Sequence, residues 1–300
     1  MIRIITDSTA SIPPEVLEAH DVTVASLYVR YDGEERLETE MDIDGFYDTL
    51  ASRIDDIPTS SQTSQHAFEA FFEEAAAAGD EVLGIFVSSA LSGTFEGAVR
   101  AARTVKSHNI DFRCVLIDST STGGDEGFPV MDALDAREAG GTLEECAAAA
   151  ENAVLCSRIL FVPESLAFLK AGGRIGRASA LLGSVIKIVP VITVLDGTPQ
   201  VVAKVRTMKK AVEEMVRTFA ADVEQFGLKR VMVQYVGPKT DVLERLRAQV
   251  EEIAGHAVDI MPVSPVIGSH VGPAVGLSYE CWRAVQGKLE MQPSELVFTA

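Results

Sequence analysis

Long apolar runs are missing from this sequence of 300 residues. No stretch reaches the roughly 18 apolar residues that a membrane-spanning helix needs, so we expect no transmembrane segment. Residues 1–7 pass directly into a strand-like Ile-Arg-Ile-Ile-Thr-Asp, without the apolar stretch and cleavage site of a signal peptide. The sequence therefore predicts a cytoplasmic protein.

Cysteine is also scarce, and its spacing is uninformative. The four cysteines form no CxxC pair and show neither disulfide-framework nor metal-site spacing; they are Cys114, Cys146, Cys156 and Cys281. Reduced and mostly buried thiols, as in a cytoplasmic protein, are the expectation.

Basic residues are fewer than acidic residues. The chain has 26 Lys and Arg against 44 Asp and Glu, a net charge of −18, which argues against nucleic acid or an anionic membrane as a main partner. Residues 165–210 are the exception, with eight basic residues and one acidic residue. That segment is either a solvated face with a chance cluster or a surface that meets phosphate, a nucleotide or an acidic partner.

Catalytic signatures are absent as well. The sequence contains no GxSxG, HExxH, EF-hand or GxGxxG motif, and the loop at residues 88–94 lacks the Lys of a Walker A motif. We expect no catalytic residue, no cofactor and no metal in this chain.

What is present is a globular composition, with 47% hydrophobic and 23% charged residues. In the first half, apolar strands such as Ile2–Thr6, Val82–Val87 and Arg113–Ile117 alternate with helices such as Ala67–Ala78 and Thr94–Lys106. This pattern predicts a mainly parallel sheet covered on both faces. Ligands of such sheets bind beyond the carboxyl ends of the strands.

From Arg158 onward, short strands mix with helices, including a helix predicted at Arg177–Ile186, and Asp196-Gly197 is a strong hairpin signal. The sequence thus predicts a two-domain α/β fold with its boundary near residue 155. Residues 1–154 would form a mainly parallel α/β domain, and residues 155–300 a mixed or antiparallel α/β domain.

Hydroxyl-rich loops recur where a strand ends and a helix begins, at residues 7–9, 60–64, 88–94 and 118–122. Each one alone is explained by helix capping. Four in one domain indicate hydroxyls and helix N-termini converging on an anion. In the third loop, Ser92 has a hydroxyl for a carboxylate or phosphate oxygen, and Gly93 lets the backbone approach a ligand closely.

Three later segments also attract attention. Gly172-Gly173-Arg174 is either a helix C-cap with a turn or a phosphate-binding loop with a guanidinium fork. Arg206 follows an apolar strand, so we expect it to point into a site. His270 is expected in a Gly-rich loop, where it would donate a hydrogen bond to an anion.

Taken in order, these segments resemble the DegV family, the fatty-acid-binding subunits of bacterial fatty acid kinase. The matching stretches run through nearly the whole chain; they are residues 5–10, 60–64 with Phe68, 89–94, 117–119, 172–176, 204–206 and 269–273.

The resemblance implies that one long-chain fatty acid, such as palmitate, lies in a cavity between or beside two α/β domains. The chain would present the carboxylate to an ATP-dependent fatty acid kinase subunit, which performs the catalysis. The implied carboxylate contacts are Ser60 and Ser92, the implied ligand site also includes Ser61, Gly93 and His270, and the implied acyl-phosphate and kinase contacts are Arg174 and Arg206.

The chain departs from the family pattern in four places: Ser60 replaces a Thr, Thr63 replaces a Pro, residues 124–127 are acidic where the family is small and apolar, and Ala274 stands where the family often has Gly. Two alternatives stay open. One is a stand-alone acyl hydrolase or transferase that uses Ser92 and His270. The other is a regulatory protein in which lipid is only a structural filler.

Overall fold

The computed structural model describes residues 1–181, 188–285, 287–288 and 297–300. The strands, in chain order, are β1 (Ile2–Asp7), β2 (Thr23–Ala25), β3 (Tyr28–Tyr31), β4 (Glu34–Leu37), β5 (Thr59–Ser61), β6 (Glu81–Phe86), β7 (Cys114–Asp118), β8 (Ser157–Pro163), β9 (Val189–Leu195), β10 (Thr198–Val205), β11 (Leu228–Val236), β12 (Ile260–Pro262), β13 (Ala274–Cys281) and β14 (Val297–Thr299).

The α-helices are α1 (Pro14–Ala19), α2 (Ile43–Leu50), α3 (Gln65–Ala78), α4 (Thr94–His108), α5 (Gly124–Glu138), α6 (Leu143–Cys156), α7 (Ala167–Ala171), α8 (Met208–Phe226), α9 (Asp241–Ala254) and α10 (Pro265–Val271). The helix predicted at Arg177–Ile186 begins as a 3₁₀ turn, Gly176–Leu181, and the rest of that prediction lies outside the described residues.

The N-terminal sheet has the strand order β14-β7-β6-β1-β2, and β7, β6, β1 and β2 are parallel. One face packs on α3 and α4 through Phe68, Phe72 and Ala98, and the other packs on α5 and α6 through Val130 and Ala150. Burial on both faces explains the continuous apolar strands. The prediction of a mainly parallel, doubly covered sheet is confirmed.

The C-terminal sheet has the strand order β10-β9-β8-β13-β11-β12, and only β11 and β12 pair in parallel. Asp196 and Gly197 have φ values of 50° and 73° in the β9–β10 connection, as a two-residue hairpin turn requires. The predicted mixed sheet and hairpin are therefore confirmed. The sequence interpretation missed β13, although it is a central strand.

A segment of the first half packs with the second half. After β2, the chain forms a small antiparallel sheet of order β4-β3-β5 and α2, and Leu27, Val29 and Tyr47 join the core beneath the C-terminal sheet. The Tyr47 hydroxyl donates to the carbonyl of Val263 at 2.7 Å. The domain boundary near residue 155 stays a prediction. This segment of the first half packs with the C-terminal sheet, and β14 of the second half pairs with β7 in the N-terminal sheet.

Candidate functional site

A cavity of about 360 Å³ lies where loops of the N-terminal sheet, strand β5 and helix α10 meet the C-terminal sheet. This size suits a small organic ligand. Its apolar wall includes Leu27, Val87, Leu91, Ile159, Phe161, Leu169, Val194, Val236, Val263, Val266, Ile267, Val271 and Leu277. Its polar lining includes Ser60, Ser61, Gln62, Ser92, Arg174 and His270.

His270 lies in the last turn of α10, and this corrects the expectation of a loop. Ser264 caps the helix by accepting from Ile267 N at 3.3 Å, and Pro265 occupies its first turn, where Pro is well tolerated. The helix holds the His270 Nε2 atom 2.7 Å from the Ser60 hydroxyl in the middle of β5. Two residues 210 positions apart are thereby joined.

The imidazole of His270 is neutral near neutral pH. Burial, assisted by the positive charge of Arg174, lowers the pKa of His270 to about 4. Its Nδ1 atom is buried and has no hydrogen-bond partner among the described residues. In the tautomer with the proton on Nε2, His270 donates to Ser60, which leaves the Ser60 proton for an anionic ligand.

Gly172 makes room for this imidazole. A Cβ atom at Gly172 would lie 2.2 Å from His270 Nδ1, which is well inside van der Waals contact. The glycine pair therefore brings the α7 backbone against the ring of α10. Two of the segments that attracted attention in the sequence, Gly172-Gly173 and His270, are thus in contact with each other.

Ser92 and Gly93 lie at the start of α4. The Ser92 and Thr94 hydroxyls are 2.8 Å apart, and Ser92 Oγ also accepts from Thr94 N at 3.3 Å. A Cβ atom at Gly93 would lie 2.2 Å from Gln62 Oε1, so the glycine admits that side chain. The positive end of the α4 dipole lies at the same place.

Arg174 connects two of these loops. Its Nε donates to the Leu91 carbonyl at 3.0 Å, and one terminal nitrogen donates to the Gly172 carbonyl at 2.6 Å. These bonds use two of the five N–H groups of the guanidinium. Arg174 therefore anchors the glycine loop against the Ser92 loop and brings a positive charge to the cavity wall.

The structure thus brings together most of the residues singled out in the sequence: Ser60, Ser61, Ser92, Gly93, Arg174 and His270 all line the cavity. The Ser61 hydroxyl donates outward to Glu35 at 2.8 Å. Arg206 is exposed and is not among the lining residues, in contrast to the expectation that it points into a site. Lys204, Lys209 and Lys210, close to it in the sequence, are exposed as well.

The departures from the family pattern have local explanations. The Thr63 hydroxyl donates to the Ser26 carbonyl at 2.9 Å, which fixes the loop where the family has Pro. Asp125 is buried and pairs with Lys288 at 3.0 Å. Glu126 Oε2 accepts from the buried Thr9 hydroxyl at 2.7 Å. Neither of these two acidic side chains lines the cavity.

Sequence reasoning missed several lining residues, among them Gln62, Thr122 and Gln234. Gln62 and Thr122 lie in hydroxyl-rich loops that the sequence analysis identified, but these two residues were not singled out within them. Gln234 lies in the apolar part of β11, directly after Val231, Met232 and Val233. An uncharged polar residue inside such a strand was the available signal.

Three further features of the described residues concern thiols, membrane spans and metal sites. All four cysteines are free and buried. In the described part of the chain, no helix combines the length and apolar character needed to cross a membrane. No group of three or more His, Cys, Asp or Glu residues forms a metal site among the residues described.

The fold and the cavity define an α/β protein built on two large sheets, with a largely apolar cavity where they meet. The profile of the family described as "Uncharacterised protein, DegV family" matches residues 1–281. The chain belongs to the DegV family.

Curated relatives agree over nearly the whole length. A DegV domain-containing protein of Clostridium acetobutylicum is 37% identical over 279 residues, covering 93% of this chain and 97% of that protein. A DegV domain-containing protein of Streptomyces coelicolor is 30% identical, covering 91% of this chain and 96% of that one.

Solved structures share the fold. A DegV family protein of Thermus thermophilus, described for its fatty acid binding, superimposes with a TM-score of 0.82 at 30% identity, covering 93% of this chain and 99% of that one. DegV of Bacillus subtilis, described as a fatty acid binding protein, gives a TM-score of 0.82 at 28% identity, covering 93% and 99%.

Proposed function

We propose that this chain binds one long-chain fatty acid and presents its carboxylate to a partner kinase, which converts it to an acyl-phosphate. The observation that carries the proposal is the largely apolar cavity with a polar end, made of the Ser60–His270 pair, Ser92 and Arg174, which all line it. The fatty acid binding described for the Thermus thermophilus and Bacillus subtilis relatives supports it.

The polar end has the donors that a carboxylate needs. Ser60, oriented by the neutral His270, would donate to one oxygen, and Ser92 at the start of α4 would donate to the other. The helix dipole and the Arg174 guanidinium would add positive potential. A carboxylate bound this way is held without a full desolvated ion pair.

The apolar wall supplies the affinity. Each buried methylene contributes about 0.8 kcal/mol, so a chain such as palmitate gains far more from the wall than from its headgroup. The polar residues would therefore set the orientation of the ligand more than its retention.

Phosphorylation would require the partner. A carboxylate oxygen would form a bond to the γ-phosphorus of ATP while the bond from that phosphorus to the ADP oxygen breaks, with Mg²⁺ supplied on the kinase side. The exposed basic residues Lys204, Arg206, Lys209 and Lys210, on a chain of net charge −18, are suited to an acidic kinase surface or a phosphate.

A Ser–His acyl hydrolase is the second candidate, because Ser60 and His270 are within hydrogen-bond distance. Two features weigh against it. A pKa of about 4 makes His270 a weak base near neutral pH, and among the described residues no acid holds its Nδ1 atom. Ser92, the nucleophile considered from the sequence, bonds with Thr94 rather than with His270.

Native mass spectrometry of the purified protein tests the binding step. We expect one fatty acid per chain, weaker retention in Ser92→Ala, and no hydrolysis of acyl esters by the wild type. A ligand-free mass with no uptake of added palmitate would sink the carrier proposal. Ester hydrolysis lost in both Ser60→Ala and His270→Ala would favour the hydrolase.

Transfer of phosphate to the bound acid tests the presentation step. With an ATP-dependent fatty acid kinase from the same host, Arg206→Glu should slow acyl-phosphate formation at least tenfold and leave palmitate binding unchanged. Arg245→Glu is the matched control, because Arg245 is also exposed but lies on α9. Equal rates for the two variants would remove Arg206 from the kinase contact.

A further inference from the structure

Two further polar groups line the cavity, on elements other than those that carry Ser60, Ser92 and His270. The side chains of Thr122 and Gln234 are both part of the wall. Thr122 Oγ1 and Gln234 Nε2 are buried, and neither has a hydrogen-bond partner in the described part of the chain. Buried polar atoms are nearly always partnered in folded proteins, because an unpartnered one is costly.

The orientation of the Gln234 amide follows from its neighbours. Gln234 Oε1 accepts from Gly124 N at 3.3 Å and from Ser278 Oγ at 2.6 Å. A backbone N–H can only donate, so the atom that faces Gly124 must be the oxygen. The NH₂ group of Gln234, with two donors, is therefore the part without a partner.

Thr122 and Gln234 meet at Gly123. A Cβ atom at Gly123 would lie 3.7 Å from Gln234 Nε2, and Thr122 is the preceding residue. Gly123 has φ 66° and ψ −142°, a conformation that favours glycine, and its N–H donates to the Thr9 carbonyl at 3.2 Å. This turn brings the Thr122 loop of the N-terminal sheet against β11 of the C-terminal sheet.

The sheet leaves space beside Gln234. Its register pairs Gln234 of β11 with Gly276 of β13, and Gly276 with Phe161 of β8. These three residues lie on one face, since directly paired residues point the same way. Gly276 has no side chain, so the residue of β13 directly opposite Gln234 does not cover the amide nitrogen.

We propose that Thr122 and Gln234 form an inner polar subsite that selects an oxygenated acyl chain, a fatty acid carrying a hydroxyl or keto oxygen along its length. A hydroxyl would accept from the Gln234 amide and donate to Thr122 Oγ1, and a keto oxygen would accept from both. The surrounding wall, with Ile159 and Phe161, is apolar and suits the rest of the chain. This inference rests on the proposed function, because it names the substrate class of the same cavity.

Competition in native mass spectrometry tests the subsite. The wild type is offered palmitate together with each positional isomer of hydroxyhexadecanoic acid. We expect one isomer to be enriched about threefold to tenfold over palmitate, which is the effect of one net hydrogen bond. Thr122→Val should bring that ratio close to one, and Thr122→Ser should retain it.

Thr218→Val is the matched control, because Thr218 donates to the Glu214 carbonyl on α8 and does not line the cavity. It should keep the wild-type ratio. If palmitate binds but no isomer is enriched, or if the enrichment survives Thr122→Val, the subsite is overturned and the proposed function stands. If neither acid binds, the proposed function itself fails.

Discussion

The Nε2 atom of His270 lies 2.7 Å from the hydroxyl of Ser60, and this contact joins helix α10 to strand β5. Both elements pack on the core beneath the C-terminal sheet. Ser92, by contrast, is carried by the N-terminal sheet. The proposed carboxylate site is thus made of two separately supported parts.

The pairing of Ser60 and His270 predicts coupled effects on binding. Ser60→Ala and His270→Ala should each weaken palmitate binding about threefold to tenfold, the scale of one hydrogen bond. The double variant should bind palmitate no more weakly than the weaker-binding single variant, because each substitution removes the same Ser60–His270 hydrogen bond. Isothermal titration of all four proteins measures this, and fully additive losses would contradict this coupling.

Two adjacent glycines predict opposite outcomes. Gly172→Ala adds a Cβ atom 2.2 Å from His270 Nδ1 at a φ of −74°, so it should displace the imidazole and weaken palmitate binding. Gly173→Ala meets no atom within 4 Å but has a φ of 72°, so it should cost about 1 kcal/mol of stability and leave binding unchanged. Thermal melts and titrations of both variants distinguish the two effects, and equal binding losses would count against the His270 contact.

The lowered pKa of His270 should reduce the free energy of unfolding in acid. Its pKa falls from 6.5 in the unfolded chain to about 4 in the fold, so the unfolded state takes up the proton first. The stabilisation is complete above pH 6.5 and is lost as pH falls through 4, by on the order of 3 kcal/mol. Urea unfolding of the wild type and His270→Gln measures the difference in slope between pH 4 and 6.5; parallel curves would mean that His270 titrates normally.

The raised pKa of Glu38 should make stability depend on pH in the opposite direction. Burial raises the pKa of Glu38 from 4.5 to about 7, and its Oε2 accepts from Val266 N in α10 at 2.9 Å. Its stabilisation is complete below pH 4.5 and is lost as pH rises through 7. Glu38→Gln stays neutral, so its stability relative to the wild type should improve by about 3 kcal/mol between pH 4.5 and 8. Urea unfolding at the two pH values checks this, and a constant difference would refute it.

The buried ion pair of Asp125 and Lys288 predicts that one substitution is worse than two. The exposed fractions of the two side chains are 0% and 2%. Lys288→Met should cost about 3–5 kcal/mol because it leaves Asp125 buried without its counter-charge. Asp125→Asn combined with Lys288→Met should recover much of that loss. Chemical unfolding measures both, and a double variant less stable than Lys288→Met would contradict the prediction.

Strong local signals made much of the fold predictable. Apolar strands such as β6, the hairpin at Asp196-Gly197 and the long amphipathic α8 depend on patterns within a few residues. Strand β13 was missed because its residues alternate with small or polar ones, such as Gly276 and Ser278, and it follows Gly-Pro. Its burial comes from neighbours on β8 and β11, which no local pattern reports.

The site was predictable where its residues lie in loops with unusual composition. Ser60, Ser92 and Arg174 were found in this way. His270 was identified although its helix was read as a loop, because short helices rich in glycine have weak propensity. The burial of Asp125 and Glu126 could not be foreseen, since it depends on Lys288 and Thr9, far away in sequence.

The path of the chain between the two sheets has a mechanical consequence. The chain leaves the N-terminal sheet after β2, returns at α3, leaves again after α6 and comes back at β14. A hinge motion that separates the two halves would have to bend all four of these backbone connections between the sheets at once. We therefore expect that a ligand reaches the cavity through a local gap in its wall, and that the two pieces of a chain cut near residue 155 depend on each other to fold.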